Sequence, residues 1–589
     1  VSLKVFQQAL EQIRSGRLEQ AERTLRTALQ RDPRQPELND MLGTVLVRLN
    51  RFEQARYHHE IALREAPDRP EFLNNYAGVF LAQRRPAEAR ALFERALSIN
   101  PREVMAMHGL ARALAELREY SSLERVALQT RTLSPEACEP WLNLAIAQLQ
   151  SGRQAEGIQS LVQAVQRNPV VAGPMYLSSL LYHPAIPPAQ VLAEHAEFGR
   201  LLARTAVPNA GKPAAHPSPV AEKSVAAGDR KLRIGYLSSD LRRHSVAIFM
   251  ERLLASHDRT RCSVGVYHTS NDDEVSARLR PHADRWVQCS SMNDTDLART
   301  ITGDAIDVLI ELNGHTVGGR PGVIARRPAP RIVSYLGYAC STGLPGITGR
   351  VVDHITDPPG SEHLALEPLL RLDRVFLCFT PPQQAPDVAP LPALRNGFVT
   401  FGAFNAAPKI NDGVIHAWAE VLRRIPRSRL LVKCAAMADE GVRARFASQF
   451  TRAGIDPSRI ELMGWADSLA GHLDVYNCVD IALDCFPYNG TTTTCEALWM
   501  GVPTISVRGS WHVSRVGESI LSAVGLRHMV ASDPSSMADV AARLTEDLPA
   551  LNTLRAGLRE RMSTSPLCDG VGLARAIEAA LRTHFQSQP

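Results

Sequence analysis

Over residues 2–172, apolar residues fall three and four positions apart, the spacing of one buried helix face, and the pattern repeats every 34 residues. Pro33, Pro67, Pro101, Pro135 and Pro169 keep that step, as do Ala9, Gly43, Ala77, Ala111 and Ala145. Ala28, Ala62, Ala96 and Ala164 form a third series, with Thr130 in its vacant place; Ala21, Ala55 and Ala89 continue as Leu123 and Gly157. The pattern predicts five units of two amphipathic helices, with small residues where helices touch and a proline ending each second helix. Helical spacing continues without the period over 173–204 (Leu177, Leu180, Leu181, Val191, Leu192, Phe198, Leu201). Residues 205–230, rich in Ala, Pro, Gly and Ser, read as a linker.

From Lys231 the pattern changes to short β-branched runs alternating with helical stretches. Strands are expected at Lys231–Ser238, Cys262–Tyr267, Val308–Leu312 and Ile332–Tyr335. After a proline-rich break at Pro381–Pro392, a second series is expected at Phe398–Phe401, Arg429–Lys433, Ile460–Met463, Ile481–Leu483 and Thr504–Ser506. Alternation of this kind predicts two doubly wound α/β halves with ligands at the carboxyl ends of their strands. The expected organisation is a repeat array (1–172), a helical junction and linker (173–230), a first lobe (231–392) and a second lobe (393–589).

Composition narrows the function classes. The net charge of +5 is spread without a dense basic block, which argues against a nucleic-acid partner. The ten cysteines are scattered with no C-x-x-C pair, which argues against a zinc site or a disulfide scaffold and suits a reducing cytoplasm. Neither a leader-like start nor an apolar run of membrane-spanning length is present, so no membrane span is expected.

The most informative stretch is Asp480–Pro503. A buried strand runs into a Pro-Tyr-Asn-Gly turn ending at Asn489 and Gly490, then four threonines, Thr491–Thr494, and a helix expected from about Cys495 to Met500. Backbone N–H groups and hydroxyls at a helix start make an anion site, and Glu496 is placed to accept hydrogen bonds from a ribose. A plainly capped helix is the alternative, but four threonines exceed what a cap requires. Lys409, after the strand and loop of Phe401–Lys409, is placed at the cleft mouth to neutralise a departing diphosphate; a solvated loop lysine is the bland alternative. His244, closing Ile234–His244, suits proton handling or sugar orientation, or else merely opens a helix. The only D-x-D, Asp294–Asp296, reads as an N-cap rather than a metal ligand. Absence of G-x-G-x-x-G and of G-x-x-x-x-G-K-[ST] argues against dinucleotide oxidoreductases and P-loop hydrolases.

The repeating unit resembles the tetratricopeptide repeat, and together with the rest the chain resembles the O-linked N-acetylglucosamine transferase family in its bacterial form. The motifs are YHPAIPPAQVLAEHAEFGR, LNGHTVGGR, RRPAPRIVSYLGYACSTG, FNAAPKI, PYNGTTTTCEALWMGVP and SRVGESIL, in the family's order. The resemblance implies an α plus α/β fold: a tetratricopeptide superhelix, then a GT-B glycosyltransferase of two Rossmann-like lobes. It also implies inverting, metal-independent transfer from UDP-N-acetylglucosamine to Ser or Thr, with no cofactor and a protein acceptor along the repeat groove. By the same resemblance Lys409 meets the diphosphate, His244 lies in the active site, and Thr492 and Thr493 bind phosphate. Glu496 holds the ribose, His472 flanks the uridine pocket, and the backbone at Gly337 approaches the sugar. Two positions depart from the animal enzymes: Thr491 replaces a histidine and Ala406 a glutamine, which bears on donor contacts. A GDP-fucose-using enzyme of the plant SPINDLY type, an Asn-directed UDP-glucose-using enzyme and a nucleotide-sensing scaffold remain alternatives.

Overall fold

The computed structural model describes residues 3–205, 230–466 and 468–586, so the linker expected at 205–230 falls almost wholly outside the described residues. The chain divides into two compact units, Val1–Asn168 with Ala438–Val442, and Pro169–Met437 with Arg443–Pro589.

Among the described residues of the first unit ten helices pack in sequential pairs: α1 (Leu3–Arg14) with α2 (Leu18–Leu29), α3 (Pro36–Arg48) with α4 (Phe52–Glu65), and α5 (Pro70–Ala82) with α6 (Pro86–Ile99). Then come α7 (Val104–Leu117) with α8 (Tyr120–Leu133), and α9 (Glu139–Gln150) with α10 (Gln154–Arg167). Helices α4, α6, α8 and α10 each end two residues before the periodic proline, because the residue preceding proline is pushed out of the helical region. Ala9, Ala21, Ala55, Ala77, Ala96 and Ala145 are fully buried where helices meet. At Gly43 a Cβ would sit 2.5 Å from His59 Nε2, so the smallest residue stands opposite the bulkiest neighbour. Pro169 does not only end α10; it also opens the next helix.

The second unit begins with α11 (Pro169–Leu180) and α12 (Pro188–Thr205), two helices where the sequence suggested one helical stretch. The turn between them carries Pro184 and Pro187. Seven parallel strands follow: β1 (Leu232–Ser238), β2 (Cys262–His268), β3 (Arg285–Gln288), β4 (Val308–Glu311), β5 (Arg331–Ser334), β6 (Gly349–Asp353) and β7 (Leu369–Leu372). Their order is β3-β2-β1-β4-β5-β6-β7. The second sheet holds β8 (Val399–Ala403), β9 (Ser428–Lys433), β10 (Ile460–Met463), β11 (Ile481–Leu483), β12 (Thr504–Val507) and β13 (Val530–Ala531), ordered β10-β9-β8-β11-β12-β13. Strands β3, β6, β7 and β13 were not anticipated. β3 is a four-residue edge strand with a charged residue at its start, β6 carries the buried Arg350, and β13 is two residues long.

Four further helices position the chemistry: α13 (Ser245–Ser256) after β1, α14 (Leu469–Asp474), α15 (Thr492–Trp499) after β11, and α16 (Gly570–Gln586). Although α16 follows the second sheet in sequence, it packs on α13 and β7 of the first. Its Glu578 accepts from His257 Nδ1 at 2.7 Å, and Tyr236 OH meets His257 Nε2 at 2.8 Å. This departs from a second lobe running unbroken over 393–589. The two sheets are tied to each other by Asp357 and His512 (2.5 Å) and by Ser519 Oγ donating to Asp353 (2.5 Å). Helix α12 meets the first lobe backbone to backbone: a Cβ at Gly199 would lie 1.7 Å from the Gly343 carbonyl oxygen.

Candidate active site

In each sheet the winding direction reverses between two neighbouring strands, β1 and β4 in the first, β8 and β11 in the second. Loops leaving such strands diverge and open a crevice where ligands bind in doubly wound folds. The loops after β8 and β11 carry Lys409 and the threonine run; the loop after β1 carries His244.

Lys409 ends a short 3-10 turn, Ala407–Lys409. It is half-buried, unlike the solvated loop lysine of the bland alternative. Its Nζ donates to the Asn489 carbonyl at 3.0 Å and lies 3.9 Å from the centroid of the Tyr488 ring. Burial lowers its pKa to about 8, against the opposing pull of the Asp484 carboxylate. Asp484, fully buried at the end of β11, accepts from the N–H groups of Gly490 (2.7 Å) and Cys485 (2.8 Å) and from Ser506 Oγ (2.8 Å). Burial raises its pKa, with these hydrogen bonds and Lys409 pulling it back. Gly490 has to be glycine: a Cβ would lie 2.7 Å from Thr493 Oγ1 and 2.9 Å from Asp484 Oδ1.

Helix α15 starts at Thr492, earlier than expected, because the threonines are themselves its first turn. Thr491 occupies the N-cap position without a side-chain cap bond, and Thr494 Oγ1 donates back to the Gly490 carbonyl at 3.1 Å. Thr491, Thr492 and Thr493 stay partly exposed at the helix start. Asn489, expected among the nucleotide-sugar-binding residues, has its side chain engaged within the protein. Its amide donates to the carbonyls of Cys485 (3.0 Å) and Val507 (3.3 Å) and accepts from Gly517 N–H (3.2 Å), so its side chain is spent on pinning the loop.

Beside α15, His472 on α14 links two groups the sequence left apart. Lys433 Nζ donates to His472 Nδ1 at 2.6 Å, and His472 Nε2 then donates to Glu496 Oε2 at 3.1 Å. Glu496 is buried and is also met by Tyr476 OH at 3.4 Å. Around them Phe404 stacks on Tyr476 with centroids 3.9 Å apart, and Trp465, 63% exposed, lies parallel to His472 at 6.3 Å. The result is a cluster of aromatic rings around a buried carboxylate. Lys433, Phe404, Trp465 and Tyr476 were missed; only their convergence distinguishes them from ordinary strand-end and loop residues.

In the first lobe His244 is the N-cap of α13, its Nδ1 accepting from Val246 N–H at 3.3 Å. That leaves the neutral ring's proton on Nε2, so the free side of the ring is a donor. Burial lowers its pKa while Asp240, whose Oδ2 lies 3.7 Å from Nδ1, opposes the shift. Asp240 is fixed by Asn313 Nδ2 at 2.8 Å. Glu311 at the end of β4 is pushed up to about 7 by burial, against hydrogen bonds from Asn313 and Gly314 N–H. Neither acid was singled out from the sequence. Gly337 has a packing reason to be glycine, since a Cβ would lie 1.6 Å from the Leu312 carbonyl oxygen. Asp294 is the first helical residue rather than a cap. Asn293 caps that helix, and Asp294 pairs with Arg320 at 2.6 Å. Among the described residues, His257, Cys262 and Glu578 converge as metal ligands would, but both ring nitrogens of His257 are already hydrogen-bonded. Also among the described residues, no helix is long and apolar enough to cross a membrane.

Comparison with known proteins places the chain in a family. A family model described as Glycosyl transferase family 41 matches residues 212–378 and 391–575, and a tetratricopeptide repeat model matches 6–70, 41–104 and 78–122. The probable UDP-N-acetylglucosamine–peptide N-acetylglucosaminyltransferase SPINDLY of Solanum lycopersicum is 42% identical over 363 residues, 61% of this chain and 39% of that protein. The probable transferase SEC of Arabidopsis thaliana is 30% identical over 370 residues, 61% of this chain and 37% of that one. The chain therefore matches about two fifths of the length of these relatives. A solved structure of a mutant O-GlcNAc transferase from Thermobaculum terrenum superposes with a TM-score of 0.80 at 30% identity, covering 89% of this chain and 98% of that one.

Proposed function

The chain belongs to glycosyl transferase family 41, and from that premise we propose that it transfers N-acetylglucosamine from UDP-N-acetylglucosamine to Ser or Thr hydroxyls of proteins. The observation that carries this reading is Lys409, an ammonium held beside the Gly490–Thr493 helix start at the switch point of the second sheet. In the proposed step the acceptor oxygen bonds to the anomeric carbon as the bond from that carbon to the diphosphate breaks. The bonding pair leaves on the phosphate oxygen, and the hydroxyl proton passes to a base. Charge grows on the departing diphosphate, where Lys409 and the N–H groups and hydroxyls of Thr491–Thr493 are already oriented. A fixed cation and helix start perform the neutralisation that a divalent metal performs in other transferases, so the reaction is read as metal-independent. Attack from the face opposite the leaving group inverts the anomeric centre. His244 enters as a hydrogen-bond donor through Nε2, and the aromatic cluster around His472 and Glu496 takes the nucleoside. The concave face of the repeats takes an extended acceptor chain.

A second donor reading is motivated by Thr491, which stands where the resemblance to the animal enzymes places a histidine in contact with the nucleotide. On that reading the donor is GDP-fucose and the geometry of departure is the same. The test is release of free nucleoside diphosphate from a panel of UDP- and GDP-sugars in EDTA, with and without an extended Ser/Thr peptide. Peptide-dependent UDP release from UDP-N-acetylglucosamine, lowered at least about a hundredfold in Lys409→Ala, is the expected result. GDP release alone selects the second donor. Near-normal turnover in Lys409→Ala refutes the proposed role of the lysine.

A further inference from the structure

The ammonium of Lys409 has an aromatic partner that the reaction scheme above leaves unused. Nζ lies 3.9 Å from the Tyr488 ring centroid while donating to the Asn489 carbonyl at 3.0 Å. Tyr488 is half-buried, and its hydroxyl makes no hydrogen bond among the described residues, so what it offers the site is its ring face. The ring is itself backed by Tyr182, from the turn between α11 and α12, with centroids 5.2 Å apart. In the first lobe the Tyr338 hydroxyl is tied to buried His195 Nε2 at 2.7 Å.

Resting on the reading of Lys409 as the group that meets the leaving diphosphate, we propose that Tyr488 is a positioning residue for that lysine. Its ring holds the ammonium by a cation–π contact, and Tyr182 of the helical junction holds the ring. The choice of an aromatic face has a physical reason. A carboxylate in that place would hold the ammonium more tightly but cancel the charge the diphosphate needs. A ring quadrupole attracts a cation while leaving its net charge intact. A lysine side chain has four rotatable bonds, and fixing them before the donor arrives removes reorganisation from the chemical step.

The test compares Tyr488→Phe, which keeps the face, with Tyr488→Leu, which keeps an apolar neighbour and removes it. Tyr488→Phe is expected to retain kcat within about twofold, while Tyr488→Leu loses about tenfold in kcat with donor KM little changed. In a Lys409→Ala background Tyr488→Leu is expected to add no further loss, because it acts through the lysine. A readout independent of turnover is the titration of the Lys409 ammonium by NMR of isotopically labelled lysine, assigned by its absence in Lys409→Arg. Tyr488→Leu lowers that midpoint by about one pH unit, since burial persists while the attraction is gone; Tyr488→Phe leaves it in place. Should Tyr488→Leu not fold, Tyr182→Leu loosens the same ring from behind and is read the same way. An unchanged titration together with unchanged kcat in the leucine variant overturns the proposal. If the wild type turns over no donor, the functional reading has failed, and the titration alone decides the Tyr488–Lys409 contact: a lowered midpoint supports it and an unmoved one overturns it.

Discussion

Raising the pH should switch this site off, and the structure sets where. Lys409 has its pKa lowered from 10.5 to about 8 by burial. That difference corresponds to roughly 3 kcal/mol of net penalty on the charged form. The sign follows directly: below about pH 8 the side chain is an ammonium, and above it a neutral amine that cannot offset a departing diphosphate. Donor kcat/KM, which reports the free enzyme, should be level at neutral pH, bend near pH 8 and then fall about tenfold per unit. Bound diphosphate places negative charge beside Nζ and favours the ammonium, so the corresponding limb in kcat should lie at higher pH than the limb in kcat/KM. Lys409→Arg supplies the control, because a guanidinium stays charged throughout this range; whatever activity it retains should lack the limb. The assay is diphosphate release at donor concentrations well below and well above KM, from about pH 6 to about pH 10. A kcat/KM profile level to about pH 9.5, or the same limb in Lys409→Arg, refutes the assignment of the charge to this lysine.

Three other perturbations have defined outcomes. Gly490→Ala drives a Cβ to within 2.9 Å of the buried Asp484 carboxylate and 2.7 Å of Thr493 Oγ1; calorimetric UDP affinity and turnover should both fall at least about tenfold while far-UV circular dichroism is unchanged. Lys433→Met removes the donor to His472 Nδ1, lets the imidazole proton move to that nitrogen and turns a lone pair toward Glu496; donor KM should rise about tenfold with kcat less affected. Asn489→Ala deletes the three hydrogen bonds that pin the loop, so the thermal midpoint of the catalytic unit should drop by about 5 °C or more, and an unmoved midpoint refutes the pinning role.

The repeats were legible because their packing writes itself into the chain: a helix pair that touches at alanine and ends before proline must spend those residues at every turn of the period. The threonine run and Lys409 were legible for a related reason, since a strand followed by a polar loop places its residues at the carboxyl edge of a parallel sheet. What stayed hidden lies in contacts between distant segments. Lys433 ends an apolar strand like many strand-end lysines, and only the fold brings His472 within 2.6 Å of it. Asp240 and Glu311 are both held by Asn313 because β1 and β4 are neighbours. Local pattern also failed where one residue decides an end: the expected cap at Asp294 belongs to Asn293, and α15 begins inside the threonines rather than after them. Gly337 shows a motif position with more than one possible cause, because the Leu312 carbonyl already forbids a side chain there.

The return of α16 to the first sheet bears on how the chain comes to be folded. Synthesis runs from the amino end, so the strands of the first lobe leave the ribosome well before residues 570–586 exist. Until then the apolar surface of α13 and the edge at β7 stand uncovered, and His257 lacks Glu578. Of the two lobes, the one made first is therefore finished last, and a nascent chain paused after β13 would display an incomplete lobe to chaperones and proteases.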